Sequence, residues 1–368
     1  MQVRAIGAVS LAIDTGSRVT DEVARELRVL PIHARDKEAD VVVHPATTLD
    51  DPPGGIQLGN LTVTPDAILH DHGAWVARLS RGNGPLLLEI AVRSSLLHEL
   101  APNPVSRLKN WNYLTRAEDI AKAVIYDALD PVLQLANTQR KQTFLHASAL
   151  ISPNGEVAVF GGWGGVGKTS TILSLVLGQG YRYLSDDLVV IDSAGIVYRS
   201  PKRLQIYPYN TNGNKHLEHE FLKGRSWIDT AQWKGRGAIL GPKRVRRRIA
   251  AEELFGSSRV GTHGKASRYY HLLRGNFTKL QTTKTTAAAS ARMASNILLH
   301  ELQPLPLMSA AANAVGSSLV DSIDSWRAAS EEVLLSALAD AECTLVHIPA
   351  LTSPEELASF ILHHESRS

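Results

Sequence analysis

The chain has 368 residues, of which 44% are hydrophobic and 20% are charged, and its formal net charge is +3. This composition is typical of a globular protein and excludes wholesale disorder. The nearly neutral balance gives no strong electrostatic field, so nucleic acid is not an expected partner. The chain holds one cysteine, Cys343, which excludes an internal disulfide and a cysteine-based zinc site. At roughly 100–200 residues per domain, we expect one large domain and a smaller one.

The first part of the chain, residues 1–112, is predicted to be a small β-rich domain. It contains short apolar runs separated by turn signals, and a helix is predicted over residues 21–30. The opening residues, with Arg4 before an apolar stretch, resemble a weak signal peptide, but Asp14 ends the stretch and favours a first strand. No apolar run reaches the roughly 20 residues of a membrane span. We therefore expect a cytoplasmic protein without a membrane partner.

The second domain is predicted over residues 113–368. Thr115 and Glu118 fit a capping box at the start of a helix that Pro131 would kink or divide. Residues 205–275 are polar, glycine-rich and basic, so loops and short elements are predicted there. The remaining predicted elements are helices within 282–300 and 309–340, a strand over 343–348 and a final helix opened by a capping box at Ser353 and Glu356.

A glycine-rich phosphate loop is the strongest motif in the sequence. Residues 162–169 match G-x-x-x-x-G-K-[ST], with an apolar strand run before them and an apolar helix run after them. Glycines let consecutive backbone N–H groups curl around phosphate oxygens, and the helix N-terminus adds further donors. Lys168 is predicted to reach the β- and γ-phosphates of a nucleotide, and Thr169 to hold Mg²⁺. The predicted nucleotide-binding residues are Gly162, Gly164, Gly165, Val166, Gly167, Lys168, Thr169 and Ser170.

Two adjacent carboxylates, Asp186 and Asp187, follow in an apolar run that is predicted to be a strand. Adjacent strand residues face opposite ways, so the two side chains cannot serve one face unless the strand ends or bends between them. One is expected to face the phosphate site, and the other to orient a neighbour or the water shell of the metal. His146 lies on the preceding strand and is by default a core residue, but strand pairing could bring it against Asp187.

Together, these segments resemble the catalytic half of the HPr kinase/phosphorylase superfamily. Members have a His-bearing strand, a Walker A loop, a helix that ends in glycine and an Asp-Asp strand. The corresponding residues here are His146, 162–169, Gly180 and the pair Asp186 and Asp187. The resemblance covers about 50 residues. It points to the divergent HPr-kinase-related proteins, some of which look like tailoring kinases that act on peptide precursors such as lasso peptides.

The resemblance implies an α/β fold with a phosphoenolpyruvate-carboxykinase-like P-loop kinase core, beside the smaller β-rich N-terminal domain. It implies Mg²⁺-dependent transfer of the ATP γ-phosphate to a serine hydroxyl of a protein or peptide. Asp186 would be the general base, and Asp187 would pair with His146 and join Thr169 at the metal. The predicted catalytic residues are thus Asp186, Asp187, His146 and Lys168. Residues 234–240 replace the family's downstream signature and lack its glutamate, so the second metal ligand is unassigned.

Three functions stay open from the sequence. They are a serine kinase that acts on a protein or peptide, a small-molecule hydroxyl kinase on the same scaffold, and a non-catalytic nucleotide-binding regulator. A substrate-shaped pocket closed by residues 205–275 would favour the second, and an open groove with arginines the first. Since the enzymes of this superfamily are often oligomers, a homo-oligomer is also open. The basic run 243–248 is either a solvated face or a phosphate contact, through Arg203, Arg244, Arg246 or Arg247.

Overall fold

A computed structural model describes residues 2–32, 38–81, 84–93, 103–110, 112–199, 202–211 and 215–365. Within these ranges the chain is a mixed α/β protein with two eight-stranded sheets. Residues 94–102 and 111, which precede the predicted domain boundary, lie outside the described residues, so the division after residue 112 stays a prediction. Among the helices of these ranges, none combines the length and the apolar composition that crossing a membrane requires.

The first sheet is built from the N-terminal part of the chain, in the order β1-β2-β3-β8-β7-β6-β5-β4. Strand β3 pairs in parallel with both β2 and β8, and the other pairs are antiparallel. The apolar runs of this part of the chain form strands as predicted. The strands are β1 Gln2–Ile6, β2 Val9–Ile13, β3 Val41–Ala46, β4 Ile56–Leu58, β5 Leu61–Val63, β6 Ala67–Asp71, β7 Trp75–Arg81 and β8 Leu86–Val92.

The second sheet carries the phosphate loop. Its strand β10 pairs antiparallel with β9 and in parallel with β16, so that β10, β9, β12, β13 and β16 close into a ring. A separate two-stranded ribbon consists of β14 and β15. The strands are β9 Gln142–Ile151, β10 Val157–Gly162, β11 Arg182–Ser185, β12 Leu188–Asp192, β13 Ile196–Tyr198, β14 Leu204–Ile206, β15 Arg247–Ile249, β16 His263–Gly275, β17 Gln281–Lys284 and β18 Glu342–Pro349.

Helices surround the two sheets. The described α-helices are α1 Arg18–Glu26, α2 Asn103–Lys109, α3 Arg116–Val124, α4 Asp130–Gln139, α5 Lys168–Gly178, α6 Pro208–Thr211, α7 Lys215–Leu222, α8 Trp227–Leu240, α9 Ala251–Phe255, α10 Ala287–Glu301, α11 Pro304–Ala314, α12 Ile323–Ala337 and α13 Pro354–Glu365. Helix α3 starts with the predicted capping box, because Glu118 N donates to Thr115 Oγ1 at 3.2 Å and Thr115 N to Glu118 Oε2 at 2.7 Å. A π-helical segment, Ile125–Leu129, then joins α3 to α4, just before Pro131.

The prediction for residues 205–275 is wrong in two places. Helix α8 has 14 residues and strand β16 has 13, where short elements and loops were expected. Strand β16 is central, since it pairs with β10, β13 and β18. Its adjacent residues Tyr269, Tyr270, His271 and Leu272 are all buried. A strand that is covered on both faces loses the alternating pattern by which a strand is usually predicted.

The two sheets are joined by shared apolar packing. Buried residues of the first sheet, such as Val43 and Leu88, belong to one hydrophobic cluster with Val124 of α3 and Leu129 of the π-helical segment. The same cluster includes Phe144 of β9. The segment that links α3 to α4 therefore lies between the N-terminal sheet and the strands that carry the predicted catalytic residues.

Candidate active site

The phosphate loop connects β10 to α5 and has the backbone geometry that its glycines allow. Gly162, Gly165 and Gly167 have φ angles of 143°, 80° and 106°, in the region that L side chains rarely adopt. A Cβ atom at Gly162 would also stand 2.7 Å from the carbonyl oxygen of Leu272 on β16. Helix α5 starts directly after Gly167, so its free N–H groups face the loop.

Lys168 is the first residue of α5, and its side chain lies inside the loop. Its ammonium donates to the carbonyl oxygens of Gly162 at 2.7 Å and Trp163 at 3.0 Å. Burial lowers the pKa of this amine to about 8. The predicted phosphate-binding lysine is thus placed at the loop, not in solvent.

Asp186 lies beside the phosphate loop and is buried. One oxygen accepts a hydrogen bond from the Ser148 hydroxyl, and the other accepts from Thr169 Oγ1 at 2.9 Å. Burial raises the pKa of the Asp186 carboxyl, against the effect of the Ser148 hydrogen bond. The prediction joined Thr169 to Asp187 at the metal, whereas the structure brings Thr169 together with Asp186.

Asp187 occupies the break between β11 and β12, with a φ angle of 73°. Its carboxylate accepts from the Tyr126 hydroxyl at 3.2 Å and from Lys202 Nζ at 3.3 Å. Lys202 is also 2.7 Å from Asp130. Burial opposes ionisation of Asp187, but the positive charges around it, with Lys202 the largest contributor, lower the pKa of this carboxyl. The two adjacent aspartates therefore have separate sets of partners.

His146 sits on β9 next to this break. Its register partner is Leu188, and the N–H of Ala147 donates to the backbone oxygen of Asp187 at 3.2 Å. The ring itself lies toward α10, with Nδ1 at 3.4 Å from Glu301 Oε2. Burial lowers the pKa of the imidazole to about 3, so the ring is neutral. The expected neighbourhood of His146 and Asp187 is present, but the hydrogen bonds of the Asp187 carboxylate go to Tyr126 and Lys202.

Two cavities meet at these side chains. The first cavity, of about 600 Å³, is lined by the phosphate loop, Asp186 and the start of α5. The second cavity, of about 540 Å³, is lined by the π-helical segment, the end of α10 and Lys202. His146 and Asp187 line both cavities. Each volume is within the range of small-molecule sites, about 300–1,000 Å³.

Several residues of the first cavity had no signal in the sequence. Arg274, at the end of β16, donates from Nε to the carbonyl oxygen of Val166 at 3.0 Å and from Nη1 to that of Thr352 at 2.9 Å. It thereby ties the phosphate loop to the segment before α13. Only the pairing of β16 with β10 explains this position, and that pairing is not readable from local sequence. Other unpredicted residues of the lining are Gln205, Tyr207, Tyr209 and Asn210, whereas Lys243 belongs to the basic run that was singled out in the sequence.

The arginines predicted near phosphate mostly have carboxylate or amide partners. Arg203 lies 3.6 Å from Glu26, and the buried Arg247 lies 2.6 Å from Asp229. Arg246 donates to Gln205 at 2.7 Å, and Gln205 lines the first cavity. Residues 234–240, where the expected glutamate is missing, belong to helix α8.

The residues beside the loop fit a magnesium ion. Thr169 and Asp186 supply a hydroxyl and a carboxylate, the oxygen ligands that Mg²⁺ prefers, and Mg²⁺ usually takes its other ligands from water and substrate phosphates. Across the described parts of the chain, no group of three or more His, Cys, Asp and Glu side chains is arranged to hold a metal by itself. A site here would thus be completed by a nucleotide.

No family model matches the chain, and no curated protein matches it. Among solved structures, the chain is similar to the Hpr(Ser) kinase/phosphatase from Coxiella burnetii, at 11% sequence identity and a TM-score of 0.30. The match covers 61% of this chain and 97% of that chain. A structural similarity at this TM-score and identity does not indicate a shared function.

Proposed function

We propose that the protein is an ATP- and Mg²⁺-dependent kinase that transfers a phosphoryl group to a hydroxyl. The observation that carries the proposal is one cavity in which the phosphate loop, Lys168 and Thr169 face the carboxylates of Asp186 and Asp187. In nucleotide-binding enzymes of this kind, the phosphate loop and its lysine bind the triphosphate, and the threonine hydroxyl binds the metal ion. A carboxylate beside them is what an attacking hydroxyl needs to lose its proton.

In the proposed reaction the acceptor oxygen forms a bond to the γ-phosphorus, and the bond to the β–γ bridging oxygen breaks. The hydroxyl proton passes to a carboxylate, and the electron pair of the broken bond leaves with ADP. The loop N–H groups and Lys168 hold the phosphates, while Thr169 and Asp186 would hold Mg²⁺. The metal supplies positive charge against the phosphate oxygens.

We assign the proton acceptor to Asp187. Both carboxylate oxygens of Asp186 already accept hydrogen bonds, from Ser148 and Thr169, and this residue lines the first cavity alone. Asp187 lines both cavities, and the nearby Lys202 ammonium favours its ionised form. This assignment exchanges the roles of the two aspartates that the family resemblance implied. The acceptor is then expected in the second cavity, where a serine side chain of a peptide or protein and a small-molecule hydroxyl both fit by size.

Calorimetric titration with ATP and Mg²⁺ tests the nucleotide site. We expect Lys168→Ala to weaken binding by at least about 100-fold, because a buried charged partner of the phosphates is lost. Lys265→Ala, which removes an exposed lysine paired with Asp340, is the matched control and should bind like the wild type. Equal binding by Lys168→Ala and the wild type would refute the proposal.

Phosphoryl transfer, followed as ADP formation, tests the two aspartates. Asp187→Asn should bind ATP but react at least about 100-fold more slowly, since a general base contributes about that much. Asp186→Asn should instead raise the Mg²⁺ concentration that is needed for half-maximal activity. A wild-type protein that binds ATP without any turnover would be the non-catalytic regulator. The reverse pattern for the two variants would return the base to Asp186.

A further inference from the structure

We propose that the second cavity binds the phosphate acceptor, and that this acceptor carries a positive charge close to its hydroxyl group. The inference rests on the proposed kinase function and adds the chemical class of the substrate. The class is defined by the charge of the cavity, its junction with the phosphate cavity and a buried nitrogen without a hydrogen-bond partner.

The position of the cavity suits an acceptor. It meets the phosphate cavity at Asp187 and His146, so a hydroxyl at this junction has the proposed base on one side and the phosphate loop on the other. The loop residue Trp163 contacts His300 of the second cavity, with 4.9 Å between the ring centroids. The phosphate loop is therefore in contact with a residue that lines the second cavity.

The charges that line the cavity are unbalanced. Four carboxylates, Asp127, Asp130, Asp187 and Glu301, face a single ammonium, Lys202. The Lys202 ammonium already forms ion pairs with Asp130 at 2.7 Å and with Asp187 at 3.3 Å. Within the described ranges, no lysine or arginine nitrogen lies within 4.0 Å of the carboxylates of Asp127 or Glu301. These two carboxylates thus have no direct ion pair with a lysine or arginine in the described structure and could accept one from a ligand.

Partial burial makes this imbalance more costly. Desolvation raises the pKa of the carboxyl groups of both Asp127 and Glu301, against the opposing charges of Lys122 at Asp127 and of Lys168 and Lys202 at Glu301. An ammonium or guanidinium group beside these carboxylates would stabilise their ionised forms further. An anionic acceptor would meet like charge on both sides and be rejected.

An unpartnered nitrogen also faces this site. The His146 side chain is 8% exposed, and its Nδ1 has no hydrogen-bond partner in the described structure, with Glu301 at 3.4 Å. Buried polar atoms without partners are rare in folded proteins. A ligand that bears an ammonium and a hydroxyl brings several donors to this neutral imidazole and to the carboxylates beside it.

The local backbone explains why three polar side chains share this wall. Tyr126 and Asp127 lie in the π-helical segment Ile125–Leu129, and Asp130 opens α4 directly after it. A π-helical turn holds an extra residue and displaces side chains from the regular α-helical face. Here it places Tyr126, Asp127 and Asp130 on the same cavity.

Matched acceptors that differ in charge test the inference. One series is serinol, glycerol and glycerate, which are cationic, neutral and anionic small molecules. The other is a set of short serine peptides with arginine, alanine or glutamate on both sides. Phosphorylation is measured with the full-length protein and Mg²⁺-ATP. We expect the cationic member of one series to have a kcat/KM at least about tenfold above its neutral analogue. The series that responds identifies the source of the charge.

Charge-removing variants link this preference to the cavity. Glu301→Gln and Asp127→Asn keep the shape of each side chain, and each should cut the preference for the cationic acceptor to below about threefold, chiefly through KM. Glu331→Gln, which removes an α12 carboxylate from an exposed ion pair with Arg292 of α10, is the matched control and should keep the wild-type preference. A variant that was merely unstable would lower activity for all acceptors without changing this ratio.

The outcomes separate this inference from the proposed function. If ATP binds in a Lys168-dependent manner but cationic and neutral acceptors react equally, the inference is overturned and the kinase stands. It is also overturned if the preference persists in both variants, or if ATP is turned over and neither cationic acceptor is phosphorylated. Failure of ATP binding in the calorimetric titration would instead refute the kinase itself.

Discussion

At the residue scale, the adjacent aspartates differ because the backbone turns between them. Asp187 has a φ angle of 73°, a conformation that Asn and Asp tolerate better than most residues. This turn ends one strand and lets both carboxylates reach polar partners, Asp186 at the phosphate loop and Asp187 at Lys202. The apolar run around the two aspartates was predicted to be one strand, and this prediction is wrong, because Asp186 and Asp187 both lie between the end of β11 and the start of β12.

The glycines of the phosphate loop allow a matched test of backbone strain. Gly162→Ala should lower the free energy of unfolding by about 1–3 kcal/mol, because it combines a φ angle of 143° with a close contact to the Leu272 carbonyl. Gly164→Ala should change it by less than about 0.5 kcal/mol, since a Cβ there meets no atom within 4 Å. Urea unfolding without nucleotide measures both. Equal effects of the two variants would contradict the loop geometry.

At the element scale, Arg274 makes the end of β16 part of the nucleotide site. Its guanidinium donates hydrogen bonds to the carbonyl oxygen of Val166 in the phosphate loop and to that of Thr352 in the segment before α13. We expect Arg274→Ala to weaken ATP binding by about tenfold, because loss of these bonds leaves the loop less ordered, at a free-energy cost of about 1–3 kcal/mol. Calorimetry and urea unfolding report the two effects.

Two further variants complete this test. Arg274→Lys should recover only part of the affinity, since an ammonium cannot reproduce the planar fork of the guanidinium. Arg292→Ala, on an arginine side chain that is 68% exposed, is the control and should bind ATP like the wild type. If Arg274→Ala binds ATP normally, the contact to the loop has no role in nucleotide binding.

Local signals predicted some elements well. The capping box at Ser353 and Glu356 opens α13 as expected, with hydrogen bonds of 2.9 Å and 3.1 Å between the two residues. The strand, phosphate loop and helix around Lys168 were equally clear, because their signals lie within a few neighbouring residues. Such motifs depend on backbone geometry that short segments specify by themselves.

Contacts that depend on strand order could not be predicted in this way. Lys202, Glu301 and Arg274 come to the two cavities from distant parts of the chain. The position of Arg274 follows from the pairing of β16 with β10, and that of Glu301 from the packing of α10, and no local pattern encodes either. The partner of Thr169 was also missed, because which of two neighbouring aspartates faces the loop depends on the turn at Asp187.

At the scale of the whole molecule, the N-terminal sheet contributes to the candidate site. His70 of β6 lines the second cavity, together with residues of the π-helical segment. The same segment belongs to the hydrophobic cluster that spans both sheets. The proposed acceptor site is therefore assembled from parts of the chain on both sides of the predicted boundary at 112.

Buried histidines connect the stability of the whole molecule to pH. Burial lowers the pKa of His72 and His271 to about 4, and that of His146 to about 3, from an ordinary value of 6.5. As the pH falls from 6.5 to about 4, the unfolded chain takes up protons at these rings and the folded chain does not. The free energy of unfolding should therefore be fully retained above pH 6.5 and decrease below it, by up to about 1.4 kcal/mol per pH unit for each ring.

Replacing one of these rings should reduce that dependence. His271 is 1% exposed and bonds to the Tyr269 hydroxyl at 3.1 Å, so His271→Gln keeps a polar partner but removes the titrating group. Between pH 6.5 and 4.5, we expect the slope of the unfolding free energy against pH to decrease by the amount that corresponds to about one proton taken up on unfolding. His263→Gln, at the exposed start of the same strand, is the matched control for replacing a histidine by glutamine. Urea unfolding at several pH values decides, because an unchanged slope for His271→Gln would mean that this ring is protonated in the folded protein.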